Sequence, residues 1–241
     1  MNKHNNFVKF FKKINLSINS LLENYLNKLN FKNLSNIAGS NKILLIFVAL
    51  IILFLSYLSI PHIYSKADIK RELENQLMNK FSLNFKFSDN INYKFFPRPH
   101  FIINSSTILN KNVEISKIEK LSIFVSLDGF FSLKNIIVNS VIIENTNFNL
   151  NKKSANFFLK LLNNDFSKST FIIKDSNVFF QNAEEEVLFI NKILNMKYFY
   201  DPKELKNIMD SENEIFNVPY NLTSHRDKIN NKIFSKINFN F

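Results

Sequence analysis

Val141–Leu150 reads VIIENTNFNL, and its alternation decides the fold. Val141, Ile143, Phe148 and Leu150 are apolar, with Glu144, Asn145, Asn147 and Asn149 polar around them. Successive side chains of a strand point to opposite faces, so a segment patterned this way has one dry and one wet face. The pattern repeats in both directions. Upstream, Leu83, Phe85 and Phe87 alternate with Asn84, Lys86 and Ser88, and after an Asp89-Asn90 turn Ile91, Tyr93 and Phe95 alternate again. Pro97-Arg98-Pro99 then forces an extended corner. Strands are predicted over Phe101–Leu109, Glu114–Leu127, Phe131–Val138 and Val141–Leu150, with Asp128-Gly129 as a tight connection. Ala155–Asn163 breaks the pattern and predicts one short helix. Beyond it, strands are predicted at Thr170–Lys174, Asn177–Gln181, Val187–Ile193, Ile215–Ser224 and Lys232–Phe241. Asp175-Ser176-Asn177 reads as a hairpin turn, and Asp201–Asp210 as a brief helix or loop. Many short strands with hairpin-length connections and almost no crossover helices predict a mainly β, antiparallel meander with one or two short helices, either a curved sheet with its dry face open or a sandwich in which the dry faces close into an ordinary core.

Ahead of the strands the periodicity differs. Ile43–Ile60 reads ILLIFVALIILFLSYLSI, a run without a charge. At ~1.5 Å per residue it is roughly 27 Å long, close to the ~30 Å hydrocarbon thickness of a bilayer. Ser56 and Ser59 are too few to give the polar stripe of a soluble core helix. The run begins too late for a cleaved leader and no A-x-A pattern follows, so it predicts a transmembrane signal-anchor over residues 42–61. Before it, residues 1–41 form a basic amphipathic segment. Phe7, Phe11, Ile14, Ile18, Leu21 and Tyr25 recur at helical spacing, which suits a helix lying on an anionic leaflet or a short coiled-coil seam. After the span, residues 62–81 carry a short amphipathic helix, with Ile69, Leu73 and Leu77 on one face, and residues 82–241 carry the strands.

Charge and composition exclude several functions. The chain has 31 Lys+Arg against 20 Asp+Glu, and residues 1–60 hold seven lysines against the single acid Glu23. This places the N-terminus in the cytoplasm and the strand-rich part beyond the membrane, the periplasm of a bacterium. Arg71, Arg98 and Arg226 are the only arginines, too few for a nucleic-acid interface, and none is expected. With only Gly39 and Gly129 there is no glycine-rich phosphate loop. Without cysteine there is no disulfide, thiolate catalysis or zinc finger. His4, His62, His100 and His225 are scattered without ligand spacing. Glu184-Glu185-Glu186 is weighed as a solvated turn against a cation site. No catalytic residue, metal site or cofactor is expected, and the protein is read as not an enzyme.

In the order of its elements the chain resembles the AsmA family of bacterial inner-membrane envelope proteins. A signal-anchor is followed by a short helix at Ile69–Phe81. A strand then ends in Pro at Ile91–Pro97, and Phe101–Ile108 forms the next. The run Ile118–Leu150 contains LSIFVSLDGFFSLKNIIVNSVIIENTNFNL, and Asn156-Phe157 precedes Leu161-Leu162. Ala155 and Phe157 stand where the family usually shows Gly and Trp. The resemblance implies an inner-membrane protein with a taco-like periplasmic β-groove, acting in lipid transport and outer-membrane biogenesis. It also implies a longer chain than this one. On that basis the dry side chains expected to line a lipid groove are Phe85, Phe87, Tyr93, Phe95, Ile123, Val125, Val141, Ile143, Phe148 and Leu150. The expected partner is phospholipid, in the bilayer or bound. The alternative is an anchored scaffold that binds other envelope proteins by an open strand edge.

Overall fold

A computed structural model describes residues 42–110, 113–227 and 232–239. The chain divides into two units, one ending at Ser56 and one beginning at Tyr57. The helix read over residues 7–37 lies outside the described residues.

Helix α1 (Lys42–Ser59) is continuous, and the stretch Leu44–His62 is long and apolar enough to cross a membrane. In the first unit its side chains point outward all round: Leu44, Phe47, Leu50, Ile52 and Leu53 are all exposed. In water such a surface would cost ~25 cal/mol for every Å² left uncovered, and a bilayer removes that cost.

The second unit is one large open curved sheet. After a 3₁₀ turn at Ile60–His62 comes helix α2 (Lys66–Phe81). Its N-cap is Ser65, whose Oγ accepts from the Asp68 backbone N–H, and it ends at Ser82 in the left-handed region. The strands are β1 (Asn84–Lys86), β2 (Ile91–Lys94), β3 (His100–Asn110), β4 (Val113–Val125), β5 (Val138–Leu150), β6 (Thr170–Gln181), β7 (Val187–Asp201), β8 (Lys206–Ile215), β9 (Val218–Asp227) and β10 (Lys232–Phe239), with helix α3 (Phe157–Leu161) between β5 and β6. The order across the sheet is β1-β3-β4-β5-β6-β7-β8-β9-β10, with β2 also paired to β3. All pairs are antiparallel except β5–β6, which the α3 connection makes parallel.

Helix α2 lies on one face of the sheet. Its Ile69, Leu73, Leu77 and Phe81 join a single buried cluster with alternate residues of β3 to β8. The Phe81 ring sits 5.4 Å from Phe171 and 5.9 Å from Phe166. Polar side chains of α2 tie it to the chain entering β5: the Gln76 Oε1 accepts from the Val138 N–H, and the Lys80 ammonium donates to the Val138 carbonyl. Burial holds the Lys80 pKa below its ordinary value, with Asp165 opposing the shift. α3 extends the cover, packing Phe157 and Phe158 on Phe148.

Three local predictions change, one of a strand, one of a turn and one of a helix or loop. Phe131–Val138 is mainly a loop containing a 3₁₀ turn at Leu133–Asn135; only Val138 belongs to a strand. Asp175-Ser176-Asn177 is not a hairpin turn but the middle of β6, which runs unbroken from Thr170 to Gln181. Of Asp201–Asp210, read as a brief helix or loop, 202–205 form a turn between β7 and β8 while Asp201 ends β7 and 206–210 begin β8, and the hairpin turn that separates β8 from β9 is at Phe216-Asn217.

The reason β6 is continuous is a row of turn-like residues inside strands. Ser105 on β3, Asn145 on β5 and Asp175 on β6 all have positive φ, at 62°, 54° and 47°. The pairing register aligns them with Glu119 on β4 and Leu194 on β7. At this row all five strands change the phase of their alternation together. Ile103 and Ser106, Ile118 and Leu121, Ile143 and Thr146, Ile173 and Ser176, and Ile193 and Met196 are buried in turn, each pair separated by two residues that are not. Asn and Asp tolerate left-handed backbone because a short polar side chain bonds locally. Here the next residue's hydroxyl does this work: Ser176 Oγ donates to the Lys174 carbonyl at 2.7 Å, and Thr146 Oγ1 to that of Glu144 at 3.2 Å. A register shift on β7 between Ile193 and Asn195 ends the row, and β8 alternates without interruption.

Candidate functional site: the uncovered end of the inner face

Eight of the ten groove residues expected from sequence are sealed in the core. Phe85, Phe87, Ile123, Val125, Val141, Ile143, Phe148 and Leu150 are each no more than 5% exposed, beneath α2, α3 and their connections. Tyr93 is half-buried, and Phe95 is open at the β2–β3 corner. The helices occupy the part of the inner face on which these residues stand.

The same face continues beyond the cover. Following register from Tyr198 and Met196 on β7 leads to Met209 and Ser211 on β8, Ser224 and Leu222 on β9, and Ser235 and Ile237 on β10. One step further along the strands, Asn213, Tyr220 and Phe239 share a line. Burial falls along this path. Met209 is 1% exposed, Leu222 is half-buried against the core, and Ile237 and Phe239 are 53% and 52% exposed. Ile233 is also open. On the opposite face of β9 and β10 stand Asn221, Thr223, His225, Lys232 and Lys236, with Phe234 stacked on His225. An apolar strip thus emerges from under the helices on the inner side, with a polar surface behind it.

Small polar groups floor the strip. Tyr220 Oη donates to Asn191 Oδ1 at 2.8 Å, Asn213 Nδ2 donates to Ser211 Oγ at 2.8 Å, and Ser211 Oγ donates to the Leu222 carbonyl at 3.3 Å. Burial raises the Tyr220 phenol above its ordinary pKa, and the Asn191 bond opposes that shift. None of these groups is a nucleophile beside a base, and among the described residues no three His, Asp or Glu side chains cluster as metal ligands would. Glu184-Glu185-Glu186 forms an exposed turn around Asn182, whose Oδ1 accepts the backbone N–H of Glu184 and Glu186. What the strip offers is apolar area rather than reactive groups. Sequence alternation marked β10 as a strand. It gave no sign of where the helices stop, because cover is set by α2 and α3 rather than by the strands themselves.

The second unit is anchored at its start by an aromatic cluster. Tyr57 stacks on Phe130 at 5.4 Å and touches Phe131 at 5.2 Å, and its hydroxyl donates to the Leu127 carbonyl at 2.6 Å. Tyr64 Oη donates to the Phe130 carbonyl. His62 meets Tyr93 edge-on at 5.0 Å. Tyr93's hydroxyl is enclosed without a hydrogen bond, and burial, with the neighbouring Tyr57 adding to it, pushes its pKa to about 12.

An apolar helix able to span a bilayer, followed by one curved β-sheet with a partly uncovered inner face, defines a class of membrane-anchored β-sheet protein. The model of the AsmA family matches residues 39–187, well over half the chain. The chain belongs to the AsmA family, and with its apolar helix it is an envelope-associated, membrane-anchored protein. No curated protein matches it.

Proposed function

We propose that the protein is a single-span inner-membrane protein that shields phospholipid acyl chains on the uncovered inner face of β9 and β10 during outer-membrane biogenesis. The N-terminus is cytoplasmic and the sheet periplasmic, as the lysine-rich segment before the span argues. The observation that carries the reading is the strip in which half-buried Leu222 and Tyr220 give way to exposed Ile237, Phe239 and Ile233, continuous in register with the buried core. An acyl chain gains ~0.8 kcal/mol for each CH₂ removed from water, so a strip of this kind holds lipid by area alone, without catalysis or cofactor. A photoreactive amino acid at Ile237 or Leu222 of the full-length chain in membranes should capture phospholipid, while one at Lys236 or Thr223 on the opposite face should not. Equal capture on both faces, or none, refutes the reading.

A second reading has its own support. No strand pairs with the far edge of β10 among the described residues, so its backbone groups suit strand addition by another envelope protein. Protein adducts in place of lipid at Ile237 would favour this scaffold role. An alkaline phosphatase fusion after Ser65, active only outside the cytoplasm, tests the orientation.

A further inference from the structure

Among the exposed apolar side chains of the second unit outside the strip, two groups stand at opposite ends of the sheet, while Leu205 in the β7–β8 turn, Met78 on α2 and Phe234 on β10 stand apart from them. Leu188, Ile190 and Phe216 mark the end bearing the β6–β7 and β8–β9 hairpins. At the other end, Leu127, Phe131 and Ile137 lie in the β4–β5 loop, Phe95 and Phe96 at the β2–β3 corner, and Ile63 just past the 3₁₀ turn. Ile63 is 83% exposed, Phe131 79% and Phe96 69%. Exposed apolar side chains gathered in one place mark sites of interaction with a partner or a membrane.

The second group has a depth, and the chain itself supplies it. The apolar stretch runs to His62, so Tyr57 lies five residues inside its end, ~8 Å along the axis. That is the interfacial level at which tyrosine is enriched. Phe131's ring is 5.2 Å from Tyr57's, and Leu127's carbonyl accepts the Tyr57 hydroxyl. Groups in direct contact with Tyr57 stand at its depth. His62, at the end of the stretch, touches Tyr93, and two residues on the chain reaches Phe95 and Phe96. The ionisable groups of these segments are Lys94, Arg98 and Lys134 with Asp128 as the acid, a balance suited to anionic headgroups.

We infer that the loop Ser126–Ile137 and the corner Phe95–Pro99 form a foot that inserts Leu127, Phe131, Phe95 and Phe96 into the interface of the leaflet in which α1 ends. The inference rests on α1 being a membrane span. The foot holds the sheet's base to the bilayer by a second attachment besides the helix, and Tyr57, Phe130 and Gly129 fix its form. Gly129 has φ +80°, and a Cβ there would come within 2.6 Å of the Asn135 Cβ.

The chain has no cysteine, so single-cysteine labelling is free of background. Full-length Phe131→Cys, Leu127→Cys and Phe96→Cys would carry an environment-sensitive nitrobenzoxadiazole label in vesicles of phosphatidylethanolamine and phosphatidylglycerol. Phe216→Cys and Leu188→Cys are equally exposed comparisons from the other end, and Leu50→Cys reports the span. All these side chains are exposed, so none of the variants removes core. Labels at 131, 127 and 96 should be quenched several-fold more by nitroxide on lipid acyl chains than labels at 216 and 188, and less by aqueous iodide. Equal iodide quenching at both ends overturns the foot. A label at 50 that lipid nitroxide fails to quench overturns it as well, by removing the span. Lipid capture at Ile237 is read from a different surface, so the shielding role and the foot fail separately.

Discussion

Phe81→Ala is the sharpest test of how α2 is held on the sheet. Phe81 is fully buried at the last turn of α2, with its ring against Phe166 and Phe171. Removing a buried phenylalanine side chain costs ~3–5 kcal/mol, the lost transfer energy plus the cavity left behind. Collapse is hindered here because both ends of the site are pinned. Asn164 Nδ2 donates to the Phe81 carbonyl at 2.6 Å, Gln76 Nε2 donates to the Ile136 carbonyl, and Lys80 donates to that of Val138. The upper half of that range, about 4 kcal/mol, is therefore expected. With a guanidinium m-value of roughly 4 kcal/mol per molar, this lowers the unfolding midpoint by about 1 M. The assay is far-ultraviolet circular dichroism of the purified full-length chain in detergent micelles. Phe81→Leu should lose less than half as much, since most of the volume stays. Met78→Ala, on the exposed side of the same helix, should shift the midpoint by no more than about 0.1 M. A Phe81→Ala midpoint indistinguishable from that of Met78→Ala would refute the packing described for α2.

Other perturbations test separate links. Asn145→Val puts a β-branched residue at φ 54° and should cost ~1–2 kcal/mol, whereas Asn145→Gly should be neutral or slightly stabilising, both read by thermal melting. Gly129→Ala should destabilise by ~1–3 kcal/mol and speed hydrogen exchange at the Phe130 amide, which donates to Tyr57 Oη. Tyr198 is completely buried, with its hydroxyl donating to the Phe158 carbonyl at 2.8 Å, so Tyr198→Phe should cost ~1–2 kcal/mol by stranding that carbonyl. Burial raises the Tyr198 pKa well above the ordinary phenol value and that of Tyr93 to about 12. Folded phenols held neutral give stability that is intact below the unfolded value of about 10 and is lost as pH climbs through the folded values. The melting temperature should thus hold up to about pH 10 and fall as pH climbs from there to about 12, less steeply in the Tyr198→Phe variant.

The strand-rich class, the short helix over α2 and the Pro97-Arg98-Pro99 corner were legible because each depends on local pattern. Leu83 to Phe95 alternates, Ile69 to Leu77 repeats at helical spacing, and proline has no N–H to donate. What escaped was non-local. Asp175-Ser176-Asn177 carries the chemistry of a turn, yet its strand continues because Asn145 on the neighbouring β5 adopts the same left-handed backbone at the same level. The signal was present as a recurring Ile-x-Ser/Asn/Asp-Ser/Thr: Ile103 to Ser106, Ile143 to Thr146 and Ile173 to Ser176. The chosen groove residues were correctly apolar, but alternation reports only which face is dry, not whether a helix already covers it. Phe148 and Ile237 obey the same local rule, one under α3 and the other in the open.

The shared row from Ser105 to Leu194 works like a fold line pressed across several sheets of paper at once. Two panels meet along it, and a dry surface on one stays dry on the other only while every strand is scored at the same height. Losing one residue from β5 at the line would turn half of that strand inside out against unchanged neighbours. Strands added beyond β7, past the point where the line stops, are free of that constraint, so the sheet can be lengthened from that side without re-scoring what came before.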